Sequence, residues 1–191
     1  MQVILASGSP RRKEFLELMG VDYIAIPSKK EENINEKIKL TKLSEGLAEQ
    51  KASDIFEQTS GDRLVIGSDT LVCLKNERFG KPKSKEDAKL MLSDLSGKWH
   101  KVISSLCVLV SRNDSVKKYI CHSITKVKFI DLSEKMIDDY ISSGEPMDKA
   151  GAYAIQGRAS VFIEKIVGSY TSVIGLPTHE LFDILKKENI L

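Results

Sequence analysis

Short apolar runs of strand type alternate with segments of helical period along almost the whole chain, and this alternation points to an α/β fold with helices laid on a sheet. The first run, Val3-Ile4-Leu5-Ala6, passes through Ser7-Gly8-Ser9 into a helix over residues 10–19, with Phe15, Leu16 and Met19 on one face and Gly20 as its stop. Residues 22–27 read as a short strand. Residues 41–58 read as a helix with Leu43, Leu47, Ile55 and Phe56 inward, and residues 64–74 as a strand interrupted by Asp69. A helix over 85–95 carries Ala88, Met91, Leu92 and Leu95 at helical spacing and stops at Gly97. Strands at 101–111 and 118–130 pair around a turn at Asn113-Asp114. A helix at 134–142, strands near 160–166 and 170–174, and a helix at 178–188 follow. The expected architecture over residues 1–191 is one globular domain or two small lobes, built on a mixed sheet flanked by helices.

With 191 residues, 41% of them hydrophobic, the chain can bury a real core. The 29 basic and 27 acidic residues leave a formal charge of +2, too small for general attraction to nucleic acid or an anionic membrane, so any basic function must be local. No apolar run approaches a membrane span and the first residues enter a strand without an export signal, which reads as cytoplasmic. Cys73, Cys107 and Cys121 lack metal-site spacing and sit in apolar contexts, so they read as buried thiols.

The first turn is where basic character concentrates. Ser9 suits an N-cap and Pro10 the first helical position, which puts Arg11 and Arg12 in the first turn of the helix. Basic residues are usually found at the other end of a helix, where the dipole favours them. A pair here, beside hydroxyls and free backbone N–H groups, is either a capped helix with solvated basic residues or a site that calls for an anion, and a polyphosphate meets all three demands.

Four further places carry chemistry. Asp69 lies in Gly67-Ser68-Asp69-Thr70, between Val65-Ile66 and Leu71-Val72; a carboxylate in such a strand must protonate, pair with a cation or bind a metal. Gly67 and Ser68 are small enough to let a ligand approach the backbone, while Asp69 and Thr70 face opposite sides of a regular strand. Lys81 is held between Gly80 and Pro82, either as solvated surface or returned to the rim of the Asp69 site. Glu31-Glu32 and Lys51 read alone as ordinary surface charge. In Asp148-Lys149-Ala150-Gly151-Ala152-Tyr153-Ala154-Ile155-Gln156-Gly157, the Gln156 amide offers a donor and an acceptor, suited to a base edge or to a turn. Gly168-Ser169-Tyr170 and Gly175-Leu176-Pro177 shape the approach to the last helix. Dinucleotide-fold and P-loop glycine spacings are absent.

These blocks, with Leu95-Ser96-Gly97 and His100, resemble the Maf proteins in order and over essentially the whole length. The resemblance implies a nucleoside triphosphate pyrophosphatase that cleaves between the α and β phosphates with a divalent cation, Mg2+ or Mn2+. It also implies a curved sheet between two lobes with a central cleft, similar to the inosine triphosphate pyrophosphatases. Carried over by position, it makes Asp69 the general base, puts Ser7, Arg11, Arg12, Lys51 and Lys81 on the triphosphate, and joins Glu32 to Asp69 at the metal. Arg11, Thr70 and Gln156 match the branch acting on dTTP and UTP, and the branch acting on 7-methyl-GTP differs there. Ser104, Ser105 and Ala159 depart from the family pattern, which bears on local loop shape.

A homodimer, limitation of modified-nucleotide incorporation, and a link with arrest of septum formation and a division partner are implied in the same way. The alternatives are a non-enzymatic regulator of septum formation and a house-cleaning pyrophosphatase for non-pyrimidine triphosphates. A pure binding module has no need of an acidic residue inside a basic polyphosphate site. His100, His122 and His179 show no metal-ligand spacing and read as packing or hydrogen-bonding residues, and Trp99 as core or interface.

Overall fold

The computed structural model describes residues 1–32 and 38–191. Its sheet has seven strands in the order β2-β1-β3-β5-β6-β7, with β4 added on β3. The strands are β1 (Gln2–Leu5), β2 (Ile24–Ala25), β3 (Arg63–Leu74), β4 (Glu77–Phe79), β5 (Trp99–Arg112), β6 (Ser115–Phe129) and β7 (Ile163–Val167). The helices are α1 (Pro10–Leu18), α2 (Leu40–Glu57), α3 (Lys85–Leu95), α4 (Glu134–Ser142), α5 (Tyr170–Ile174) and α6 (Thr178–Lys187). The sheet is mixed as expected: β1 runs parallel to β2 and β3, while β4 on β3 and β7 on β6 are antiparallel. Asn113 and Asp114, both at positive φ, form the two-residue turn between β5 and β6.

The chain divides into two compact units, each assembled from separated stretches of sequence. The first comprises Met1–Asp69, Ser104–Ser123 and Gly175–Leu191; the second comprises Thr70–Ile103 and Ile124–Ile174.

In the first unit, strand alternation sorts the core into two faces. Val3, Leu5, Leu64, Ile66, Leu106, Val108 and Val110 pack with Leu16 of α1 and Leu181, Ile184 and Leu185 of α6. Ile4, Ala6, Val65, Cys107 and Leu109 face the other way, against Ala48, Ala52 and Ile55 of α2. By that same alternation Gly67 and Asp69 face α2. A side chain at Gly67 has no room, since a Cβ there would lie 2.3 Å from the Ala48 carbonyl oxygen and 2.7 Å from the Ala52 nitrogen. The small residue before Asp69 therefore admits a helix; the expected ligand approach to the backbone at Gly67 is corrected.

The second unit has its own core, in which Leu92 and Leu95 of α3, Ile137 and Tyr140 of α4, Val127, Phe129, Tyr153 and Phe162 pack together. His100 is buried here, its Nε2 2.7 Å from the Tyr153 hydroxyl and its ring edge-on to Phe129. Burial pushes the imidazole down to about 4 from the ordinary 6.5. The unfolded chain then binds a proton on acidification before the folded chain does, so stability is lost as pH falls from the unfolded value through this window. Urea titrations are expected to show the stability of the wild type relative to His100→Leu falling by about 3 kcal/mol between about pH 7.5 and about pH 4. A difference independent of pH would remove the buried neutral imidazole.

Four further expectations are corrected. Residues 170–174, although rich in β-formers, are helical, because Ser169 Oγ accepts the Ser172 N–H and pairs with the Thr171 hydroxyl, while Thr125 binds both backbone groups of Ser169. Residues 160–162 belong to a 3-10 turn before β7. Trp99 is 44% exposed, which corrects the core reading of it and leaves the interface reading. Asp69, expected to interrupt its strand, lies within a continuous β3. Cys73 and Cys107 are buried free thiols, with Cys121 half-buried; burial pushes Cys73 and Cys121 up to about 11 and Cys107 to about 12. No helix among the described residues is long and apolar enough to cross a membrane.

Candidate functional site

The turn after β1 is built around Ser7, whose hydroxyl is the local acceptor. Ser7 Oγ accepts the Ser9 N–H at 3.2 Å and an Arg12 guanidinium N–H at 3.0 Å. Ser9 holds the N-cap position of α1 without a side-chain cap, so the reading of Ser9 as a capping hydroxyl is corrected: Ser7 organises the turn. The first turn of α1 contains no acidic residue, and its basic pair is Arg11 and Arg12.

Arg12 is anchored at its other edge. Its Nε donates to the Gly175 carbonyl at 2.9 Å, and Ser68 Oγ donates to that same carbonyl at 3.1 Å. The Arg12 guanidinium pKa is lowered by burial; Asp69 opposes the shift, Arg11 adds to it and Glu32 opposes it. Two arginines and two carboxylates thus share one electrostatic neighbourhood.

Lys51 joins those carboxylates. It stands on α2 next to Ala52, where Gly67 lets the helix close on β3. Its Nζ lies 2.6 Å from Asp69 Oδ1 and 2.9 Å from Glu32 Oε1. Glu32 and Lys51, unremarkable when taken singly in the sequence, are drawn to Asp69 by packing. Of the three fates open to a strand carboxylate, Asp69 adopts pairing with a cation.

Two charged atoms at this centre remain unsatisfied. Asp69 Oδ2 and Arg11 Nε are buried and without a hydrogen-bond partner among the described residues. An orphaned carboxylate oxygen and an orphaned guanidinium N–H in one neighbourhood are costly unless something binds them. They suit a ligand that offers a cation to one and an anionic oxygen to the other.

The remaining candidates belong to the second unit. Thr70 follows Asp69 along β3 on the opposite strand face and is half-buried. Lys81 is exposed between β4 and α3, and Gln156 is exposed in the segment after Tyr153. The Gly151 N–H donates to the Gly80 carbonyl at 3.0 Å, and Gly151 sits against Val72, where a Cβ would lie 2.7 Å from Cγ1. The loop of Lys81 is therefore tied to the small-residue segment.

His100 and His122 follow the packing and hydrogen-bonding expectation, His122 pairing with Glu45 at 2.7 Å, while His179 is exposed with its Nε2 3.9 Å from Asp183. The Gly175 carbonyl and the steric role of Gly67 were not foreseen from sequence: the first is a backbone group available at any residue, and the second had the glycine itself as its only signal.

A basic first helical turn, with Lys51 joining a strand carboxylate to the loop carboxylate Glu32, marks an α/β protein with a cluster of charges of both signs beside its first helix. The chain belongs to the Maf-like protein family, whose profile matches residues 2–188. It is 47% identical over 192 residues to a dTTP/UTP pyrophosphatase of Aquifex aeolicus, covering 100% of this chain and 97% of that one. It is also 47% identical over 188 residues to a dTTP/UTP pyrophosphatase of Alkaliphilus metalliredigens, covering 97% and 95%. Among solved structures, a HAM1 protein from Coxiella burnetii is similar at TM-score 0.48 and 16% identity, over 98% of this chain and 99% of that one.

Proposed function

We propose that the protein hydrolyses dTTP and UTP between the α and β phosphates, releasing the nucleoside monophosphate and pyrophosphate. The observation that carries this reading is the orphaned pair, Asp69 Oδ2 and Arg11 Nε, in a neighbourhood already holding Arg12, Lys51 and Glu32. Membership of the Maf-like family and the names of the relatives supply the substrate class.

Asp69 accepts a proton from the attacking water, and the water oxygen ends on the nucleoside monophosphate. Ser7, Arg11, Arg12, Lys51 and Lys81 hold the phosphates and stabilise the charge that grows on the departing pyrophosphate. Gln156 pairs with the uracil edge through its donor and acceptor, and Thr70 leaves room beside it.

The oxygen donors of Glu32 and Asp69 fit Mg2+ or Mn2+, and the unpartnered Asp69 Oδ2 is the donor open to it. No cluster of three or more acidic, histidine or cysteine side chains is assembled for a metal among the described residues. Such a set suits Mg2+, which is commonly held by one or two carboxylates together with substrate phosphates. When bound, the cation supplies Lewis-acid polarisation of the phosphate oxygens.

The test is pyrophosphate release with Mg2+ or Mn2+ across dTTP, UTP, 5-methyl-UTP, CTP, ITP and 7-methyl-GTP. Turnover concentrated on dTTP and UTP is expected. A preference for ITP or 7-methyl-GTP would overturn the base assignment alone, and inactivity on every nucleotide would overturn the enzyme and favour a regulator.

A further inference from the structure

Tyr140 and Glu145 lie outside the candidate site, yet together they grip the stretch of chain that carries Gln156. Tyr140 stands near the end of α4, 4% exposed. Its hydroxyl donates to Glu145 Oε1 at 3.0 Å and accepts the Ala154 N–H at 3.3 Å. Both carboxylate oxygens of Glu145 accept the Arg158 N–H, each at 3.1 Å. One short relay therefore fixes the backbone two residues before Gln156 and two residues after it.

The intervening chain is shaped to accept this grip. Gly157 has φ +138°, a conformation side chains rarely adopt. A Cβ at Gly157 would lie 2.4 Å from Glu145 Oε1, so the carboxylate occupies the space a side chain would need. Ala154, Ile155 and Ala159 are buried around it, which leaves Gln156 as an exposed side chain on a held backbone. Burial and the neighbouring Glu145 raise the Tyr140 phenol well above its ordinary pKa, so it remains a donor across the working range.

A glutamine amide discriminates bases only when it is presented in a limited set of poses, because a mobile one can offer its donor or its acceptor to either pyrimidine. We propose that Tyr140 and Glu145 are positioning residues for base selection, holding the 154–158 loop so that Gln156 meets a uracil or thymine edge and rejects a cytosine edge. This rests on the reading of Gln156 as the residue that contacts the base.

The test compares kcat/KM for UTP and CTP in Tyr140→Phe, Glu145→Ala, Glu145→Gln and Gln156→Ala, with thermal unfolding of each. Tyr140→Phe and Glu145→Ala are expected to lower the UTP over CTP ratio by about tenfold, through KM for UTP and with kcat nearly kept. Glu145→Gln keeps an acceptor for the Arg158 N–H and retains most of the ratio. Adding Glu145→Ala to Gln156→Ala is expected to change the ratio no further, because the clamp acts through Gln156. Additive losses, or a ratio unchanged in Glu145→Ala while Gln156→Ala destroys it, would overturn the clamp and leave the base reading standing. A ratio unchanged in Gln156→Ala would overturn the base reading and the clamp with it. Should Glu145→Ala not fold, Tyr140→Phe, which loses a single oxygen, decides by the same outcomes.

Discussion

Asp69→Asn is expected to lower kcat on dTTP and UTP by about a thousandfold while leaving nucleotide affinity within a few-fold, the pattern of a lost general base on an intact binding surface. Asparagine keeps the volume and one acceptor oxygen where Asp69 Oδ1 now meets Lys51, so the packing of α2 on β3 survives. Lys51 retains Glu32 as a partner at 2.9 Å and is not left buried without a counter-charge. What asparagine cannot do is take a proton from water at neutral pH. Steady-state pyrophosphate release with calorimetric titration of a non-hydrolysable nucleotide separates the two effects. Near-normal kcat would remove Asp69 from the role of base. A large loss of affinity with kcat unchanged would make it a binding residue.

Gly67→Ala is expected to cost about 3 kcal/mol of stability or more, at the upper end of what overpacking usually does. The contacts explain why relief is hard. The added Cβ would meet the Ala48 carbonyl oxygen at 2.3 Å, the Ala52 nitrogen at 2.7 Å and the Ala52 Cβ at 2.9 Å. Two of these atoms are helix backbone, so no rotamer change clears them and α2 must lift from β3. Lys51 moves with that helix, so kcat should fall in the folded fraction as well, beyond what unfolding removes. Urea denaturation followed by far-UV circular dichroism gives the first quantity, and activity normalised to folded protein gives the second. A variant as stable as the wild type would mean that the approach of α2 to β3 is not close.

These two residues show how unevenly the molecule could be read in advance. The period of the apolar residues located α1, α2 and α3, because a helix that buries one face must repeat every three or four residues whatever it packs on. The hairpin of β5 and β6 was legible for a similar reason, its turn requiring residues that tolerate positive φ. Residues 170–174 misled because β-branched and aromatic side chains weigh toward strand, while the deciding contacts come from Thr125, far away in sequence. β4, only three residues long, carries no periodic signal.

The candidate site divides along the same line. Ser7, Arg11 and Arg12 were visible as a local pattern, since a turn, a proline and a basic first turn lie within a few residues of one another. Asp69 was visible as a charge in an apolar strand. Glu32 and Lys51 carried no signal of their own; the family resemblance singled them out, and tertiary packing brought them to Asp69. The Tyr140–Glu145 relay left no mark at all, because its targets are the backbone N–H groups of Ala154 and Arg158, which any residue other than proline supplies.

By itself the sequence determined most of the longer helices and strands, though not residues 170–174 or β4, together with where the basic turn lies and that one acidic residue stands among apolar neighbours, since periodicity, capping and burial cost act over short stretches of chain. Only the tertiary structure decided that Lys51 reaches Asp69 and Glu32, that the Gly175 carbonyl anchors Arg12, and that Asp69 Oδ2 and Arg11 Nε are left without partners among the described residues. Those facts depend on how closely α2 can approach β3 and on where distant backbone carbonyls fall, and such distances are set by packing between elements.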